Sequence, residues 1–185
     1  MRILAGELKA RNITVPLGIR PVSLRVKKSC FDVLADEIRA KSVLDLFSGS
    51  GSLGIEALSR GAKKVVFMDS NQSCILAIKE NIHGLRIADR AQVYFRESLA
   101  GIKKFAANNV IFDLIFLDPP YYKGLLIKTL QALEEYDILA TSGYLVAFCY
   151  SKDKYLTKSN KFEIIFQRKY GQTVLLIYKL VSYKE

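Results

Sequence analysis

Ser42-Val43-Leu44-Asp45-Leu46-Phe47-Ser48-Gly49-Ser50-Gly51-Ser52-Leu53-Gly54-Ile55-Glu56-Ala57-Leu58-Ser59-Arg60 is the stretch that decides the fold. Residues 42–47 are a short apolar run and read as a buried strand. A glycine loop follows, and residues 53–60 read as a helix. Strand, tight loop and helix form the opening unit of an α/β sheet. Gly49, Gly51 and Gly54 match G-x-G-x-x-G. The glycines let the backbone turn tightly and approach a ligand, and let the helix pack close to the strand.

The alternation continues outward from this unit. Strands are expected at 64–69, 91–95, 113–117 and 143–150, with helices at 73–85, 99–107 and 125–136 between them. Such alternation implies a parallel sheet covered on both faces. The end of the chain differs. Residues 161–168 and 173–180 are strand-like and joined only by Lys169-Tyr170-Gly171-Gln172, so they must be antiparallel neighbours. The reading is therefore a seven-stranded, mostly parallel sheet with a C-terminal antiparallel hairpin. At the other end, residues 2–5 and 12–15 are short strand candidates, and Pro16 and Gly18 break the chain before Pro21. Residues 1–22 read as a basic β-hairpin arm, and a helix over 23–40 links it to the sheet.

Acids stand where the strands end. Asp45 precedes the glycine loop, where it would repel a pyrophosphate but could orient an ammonium group. Asp69 is placed for ribose hydroxyls, and Glu97 for an adenine amino group. Taken singly, each reads equally well as a strand-end cap or a solvated acid, and G-x-G-x-x-G is shared by nicotinamide, flavin and adenosyl-methionine sites. Asp118-Pro119-Pro120-Tyr121 follows the apolar run 114–117. Two prolines stop the strand and stiffen the turn. They fix an acid and an aromatic at a strand's carboxyl end, where open α/β sheets bind ligands. Asp118 and the Pro119 carbonyl can accept hydrogen bonds from an exocyclic amine, and Tyr121 can stack on the ring that carries it.

At 185 residues, half of them apolar, the chain suits one folded domain and excludes global disorder. No long uncharged apolar stretch or signal-peptide core is present, so a soluble, cytoplasmic protein without membrane contact is expected. Cys30, Cys74 and Cys149 form no C-x-x-C pair, so neither a disulfide framework nor a metal site is expected. His83, the single histidine, gives a Ser-His-Asp triad nothing to work with. The formal net charge is +10, and it lies at the ends: +6 over residues 1–28, −1 over 29–149 and +5 over 150–185. Such asymmetry points to nucleic acid as a partner.

Together these motifs resemble the class I adenosyl-methionine-dependent methyltransferases, and Asp118–Tyr121 resembles their amino-methylating branch. Residues 2–6, Arg20-Pro21, Arg25-Val26-Lys27, Phe31, residues 45–60, Val65-Val66-Phe67-Met68-Asp69, Ile78-Lys79-Glu80-Asn81 and Tyr170-Gly171-Gln172-Thr173 are similar to the bacterial 16S rRNA guanine-N2 methyltransferase family. The resemblance implies a Rossmann-like methyltransferase domain over 23–185. It implies a cofactor site of Asp45, Phe47, Ser48, Gly49, Ser50, Gly51, Asp69, Ser70, Glu97 and Ser98 for S-adenosylmethionine. Asp118, Pro119, Pro120 and Tyr121 would be catalytic. Arg2, Lys9, Arg11, Arg20, Arg25 and Lys27 would contact RNA. It implies a monomer acting on 16S rRNA in an assembling 30S particle with ribosomal proteins, at the guanine conventionally numbered 966. The alternatives left by the residues are an adenine-N6 methyltransferase, a nicotinamide-dependent oxidoreductase and a non-catalytic assembly factor. The chain departs from the family pattern at Val22-Ser23-Leu24 (usually Thr-Thr-Asp), Lys28 (usually Glu), Asp69 (usually Glu) and Glu97 (usually Asp).

Overall fold

A computed structural model describes residues 1–121, 124–153, 155 and 159–181. The elements run α1 (Leu24–Leu34), β1 (Ser42–Asp45), α2 (Ser52–Ser59), β2 (Lys64–Asp69), α3 (Gln72–Leu85), β3 (Ala91–Phe95), α4 (Ser98–Ala107), β4 (Phe112–Leu117), α5 (Leu125–Glu135), β5 (Leu139–Tyr150), β6 (Phe162–Tyr170) and β7 (Thr173–Leu180). The sheet order is β3-β2-β1-β4-β5-β7-β6. The pairs β3·β2, β2·β1, β1·β4 and β4·β5 are parallel, and β7 runs antiparallel to both β5 and β6. The order reverses between β1 and β4, and this switch point opens a crevice at their carboxyl ends.

Period-two alternation sends successive strand residues to opposite faces. Val43, Val65, Phe67, Leu114, Phe116 and Phe148 form one core with Phe31 of α1, Ile55 and Leu58 of α2, and Ile78 of α3. Leu44, Val66, Met68, Ile115, Leu117 and Leu145 form the other, with Ile102 of α4 and Leu130 of α5. The three cysteines are free and buried, and His83 is exposed. Among the described residues no helix is long and apolar enough to cross a membrane.

Three expectations are corrected. The helix over 23–40 ends at Leu34 and continues as a 3₁₀ turn, Ala35–Ile38. Ala35 takes φ +36°, which breaks the α-helical ladder, and the tighter turn carries Ile38 into the core. The connection between the last strands is also shorter, because β6 continues to Tyr170 and leaves only Gly171-Gln172 as the loop. Last, the N-terminal hairpin is reduced to a single bridge, Arg2 with Asn12, supported by bonds such as Ile3 N to Arg11 O (2.9 Å) and Ile13 N to Met1 O (2.7 Å). It does not project as an arm. Ile3, Leu8 and Ile13 are buried in the same core as the sheet. The backbone N–H groups of Leu4 and Ala5 donate to the Glu56 carboxylate, and that of Glu7 to Ser59 O. Buried backbone donors need partners, and here α2 supplies them.

Candidate active site

The glycine loop joins β1 to α2. Gly49 and Gly51 sit at φ +53° and +77°, where a side chain is strained. At Gly54 a Cβ would lie 2.3 Å from the Phe67 ring, so only glycine allows α2 this close to β2. Ser48 stitches the loop down: its hydroxyl donates to Asp45 O (2.6 Å) and accepts from Met68 N (2.9 Å). Asp45 is 1% exposed. Its Oδ2 accepts from Gly54 N at 3.0 Å, while Oδ1 and the hydroxyl of Ser50 are buried without a hydrogen-bond partner among the described residues. Loss of hydration pushes the Asp45 carboxyl up to about 7, against the lowering effect of the Gly54 N–H, and the charge of Asp69 adds to the rise.

Asp69, at the end of β2, is already engaged. Its Oδ2 accepts from Gly49 N and its Oδ1 from Asn71 N, both at 2.8 Å. It therefore shapes the glycine loop as well as facing the crevice. Glu97 is the exposed N-cap residue of α4, and its side chain makes no capping bond. Phe47, Ser48, Gly49, Ser50, Asp69, Ser70 and Glu97 all line one cleft of about 710 Å³. Asp45, Gly51 and Ser98 are buried and form no part of its wall.

Across the cleft stand Asp118, Pro119, Pro120 and Tyr121, which follow β4. Asp118 is half-buried and makes no hydrogen bond among the described residues. Desolvation, then the neighbouring Asp45 charge, pushes its carboxyl up to about 8. The Tyr121 hydroxyl shares a hydrogen bond with Thr173 Oγ1 (3.2 Å), and its ring lies 6.0 Å from that of Tyr150. One side of the cleft thus offers glycine-loop backbone and acids, and the other an acceptor without a donor beside an aromatic ring. That pairing suits a cationic nucleoside facing a planar amine.

The six cationic residues expected to meet RNA divide. Arg20 lines the cleft, and its charge reaches the Tyr121 phenol. Arg25 is exposed on α1 beside the cleft mouth, with its guanidinium 5.9 Å from the Tyr170 ring centre. Arg2, Lys9 and Arg11 are exposed but belong to the opposite end. Arg11 donates to Gly84 O (2.9 Å) in the last turn of α3, about 20 Å along that 14-residue helix from its cleft end. Lys27 corrects the expectation outright. It is fully buried, pairs with Glu56 at 2.9 Å and donates to Ser52, so no phosphate can reach it. Its place in an i, i+3, i+4 apolar stripe with Cys30, Phe31 and Leu34 was the available signal. Thr173 and Leu125 also line the cleft, although neither was expected as a site residue. Of the C-terminal basic segment, Lys154, Lys158 and Lys184 lie outside the described residues.

The chain was compared with known proteins. The family model described as conserved hypothetical protein 95 matches residues 1–179. A Haemophilus influenzae relative, ribosomal RNA small subunit methyltransferase D, is 34% identical over 182 residues, covering 97% of this chain and 93% of its own. Its Escherichia coli K12 counterpart of the same name is 32% identical over 147 residues, covering 78% and 72%. A solved Escherichia coli structure, yhhF, superimposes with a TM-score of 0.88 at 28% identity over 97% of both chains. The family model's span, residues 1–179, includes the glycine loop, the acids at the strand ends and the cleft. The chain belongs to the conserved hypothetical protein 95 family, the family of the bacterial small-subunit rRNA methyltransferase D proteins, and carries its Rossmann-like methyltransferase fold.

Proposed function

We propose that this protein transfers a methyl group from S-adenosylmethionine to the exocyclic N2 of a guanine in 16S rRNA. The observation that carries the reading is the placement of Asp118 and Tyr121 across one cleft from the glycine loop, with no donor to the Asp118 carboxyl among the described residues. The residues present fit the methyl donor. Asp45 lies beneath the glycine loop, not on the cleft wall, and its Oδ1, buried without a hydrogen-bond partner among the described residues, would orient an ammonium group through the loop backbone or a water. Asp69 and Glu97 bring acceptors to the wall where ribose and adenine would lie. When bound, S-adenosylmethionine supplies an electrophilic methyl group on a sulfonium.

The chain's own residues do the rest. Guanine N2 is a poor nucleophile because its lone pair is delocalised into the ring. Asp118 and the Pro119 carbonyl hold the two N–H bonds, favour a pyramidal nitrogen and stabilise the positive charge that grows on it. Tyr121 stacks on a base taken out of its stack. In the free protein Asp118 is largely protonated at neutral pH, since its carboxyl sits near 8. A cation in the cleft favours the ionised acceptor form, so cofactor binding prepares the base-binding side. The nitrogen then sheds its proton as it becomes acidic, and no strong base is needed.

In this reading the protein is a cytoplasmic monomer working on an assembling small-subunit particle, with its target at position 966. The test is methylation of small subunits purified from cells lacking the gene, followed by nucleoside mass spectrometry and mapping. N2-methylguanosine at that position is the expected product. N6-methyladenosine would move the reading to the adenine alternative, and binding of NAD in place of S-adenosylmethionine would overturn it.

A further inference from the structure

The cleft needs a surface that holds RNA around its mouth, and the N-terminal segment is badly placed to supply it. Residues 5–11 pack at the carboxyl ends of α2 and α3: Leu8 N donates to Ser59 Oγ, and Arg11 to Gly84 O. In parallel α/β units those helix ends lie at the edge of the sheet opposite the ligand crevice. The mouth itself is framed elsewhere. Thr173, which lines the cleft and bonds Tyr121, is the first residue of β7 and stands opposite Tyr170 of β6. The β6–β7 hairpin therefore delivers its tip to the cleft.

Tyr170 gathers cations at that tip. Its hydroxyl bonds Ser29 of α1, and its ring lies under two guanidinium groups, Arg25 at 5.9 Å and Arg168 at 5.5 Å from the centre. The next residue, Lys169, is exposed on the other face of the hairpin. Arg20 continues the line into the cleft. Among the described residues none of these four cations pairs with a carboxylate, whereas Lys27, Lys28, Lys41, Arg60, Arg90 and Lys161 all do. Stacking on an aromatic ring fixes a guanidinium plane while leaving its N–H fork free for an anion.

We propose that Arg25 and Arg168 over the Tyr170 ring, Arg20 at the cleft and Lys169 on the other face of the hairpin tip form the surface that grips the RNA backbone on either side of the target nucleotide. The proposal rests on the rRNA reading above and gives it a docking site. The partner is single-stranded or loop RNA. A base must leave its stack to reach Asp118, and specific RNA recognition works on such unstacked segments. Phosphate contacts at the rim fix position, and the cleft chooses the base.

The experiment compares wild type with Arg25→Gln/Arg168→Gln/Lys169→Gln, and with Lys9→Gln/Arg11→Gln at the far end. Arg20 is left intact because it lines the cofactor cleft. Binding to small subunits from cells lacking the gene is measured across salt concentrations, and S-adenosylmethionine affinity by calorimetry. The rim variant should lose about a hundredfold in affinity near 0.1 M salt and about 2 in the salt slope, the share of three phosphate contacts. Its cofactor affinity should stay at the wild-type value, which also shows that it is folded. Arg25→Lys/Arg168→Lys should keep the slope, because charge is retained. The far-end pair should keep the slope too. An unchanged slope in the rim variant, or an equal loss in the far-end pair, overturns the docking site. Weaker binding with an unaltered slope overturns it in favour of contact with a ribosomal protein. If wild type itself neither binds nor methylates the particle, the rRNA reading fails first and this proposal with it.

Discussion

Two buried acids, Glu56 and Asp45, sit on the same β1–α2 unit and are treated in opposite ways. Glu56 is fully enclosed and saturated. Its carboxylate accepts from Leu4 N (2.9 Å), Ala5 N (3.0 Å) and Arg60 Nε (3.0 Å), and it pairs with Lys27 (2.9 Å). Asp45 is as deeply buried but receives one donor and keeps one oxygen bare. Asp118, its neighbour across the crevice, receives none among the described residues. Buried polar groups in folded proteins are nearly always satisfied. Among the described residues the rule lapses at Ser42 Oγ, at the start of β1, and at Asp45 Oδ1 and Ser50 Oγ, both at the glycine loop where a ligand would complete them. Glu56 joins the N-terminal segment, α1 and α2 into one body, while Asp45 and Asp118 hold capacity in reserve.

The sharpest way to break this contrast is to remove Glu56. Glu56→Ala leaves Lys27 buried without its counter-charge, and unfolding by urea should show a loss of about 3–5 kcal/mol. Adding Lys27→Met should recover much of it, since an apolar side chain needs no partner. A loss below about 1 kcal/mol would mean that water reaches Lys27 and that the pair behaves like a surface bridge.

Asp118 should show the reverse. Asp118→Ala removes a group that stabilises nothing within the protein, so the fold should hold while kcat falls by about 10²-fold or more. RNA affinity should change far less, because the group acts on the reacting amine. Single-turnover methylation of small subunits, beside a melting curve, separates the two effects. Near-normal turnover in a folded variant would sink the mechanism.

How much of this was legible beforehand follows the same division. The sheet, its switch point and the acids at the strand ends could be read because period-two apolar runs and glycine spacing are local signals. The cleft wall from Phe47 to Ser50, with Asp69, Ser70, Glu97 and Asp118–Tyr121, followed from them. Lys27 was misread because a positive charge next to Arg25 and Lys28 looks like surface, and its partner is 29 residues away in Glu56. The N-terminal segment looked like a free hairpin because its anchors, Glu56 and Ser59, are contributed by a helix more than 40 residues later. Tyr170 was visible only as part of a family motif. That it collects Arg25 depends on the sheet order bringing the last strands against α1, whereas Arg168, two residues earlier on the same strand, shares its face by alternation.

The reserve also predicts a pH dependence of ligand binding. Burial pushes Asp118 and Asp45 up to about 8 and about 7 in the free protein, so at pH 7 Asp118 is mostly protonated and Asp45 about half protonated. Binding a cation favours their ionised forms and must release those protons. Affinity for S-adenosylmethionine should therefore weaken as pH falls below 8, by about tenfold per unit for each proton released. S-adenosylhomocysteine lacks the sulfonium charge, so its affinity should fall less steeply. Calorimetry in buffers of different ionisation enthalpy measures the proton count directly. Equal pH profiles for the two ligands would show that the acids do not sense the sulfonium.

The smallest effect should come from Tyr121, where the two kinds of role meet in one side chain. Its ring faces the cleft and its hydroxyl ties the β4 turn to Thr173 of the hairpin. Tyr121→Phe keeps the ring and loses that bond, which is worth about 1 kcal/mol in a partly buried site. Turnover should fall only about fivefold, the same energy expressed as a rate. Thr173→Val should cost a similar amount, and the double variant little more than either alone, because both remove one bond. Tyr121→Ala should cost clearly more, since the stacking face goes as well. If Tyr121→Phe proved as damaging as Tyr121→Ala, the hydroxyl and not the stacking face would carry the role of Tyr121, and the stacking part of the mechanism would fail.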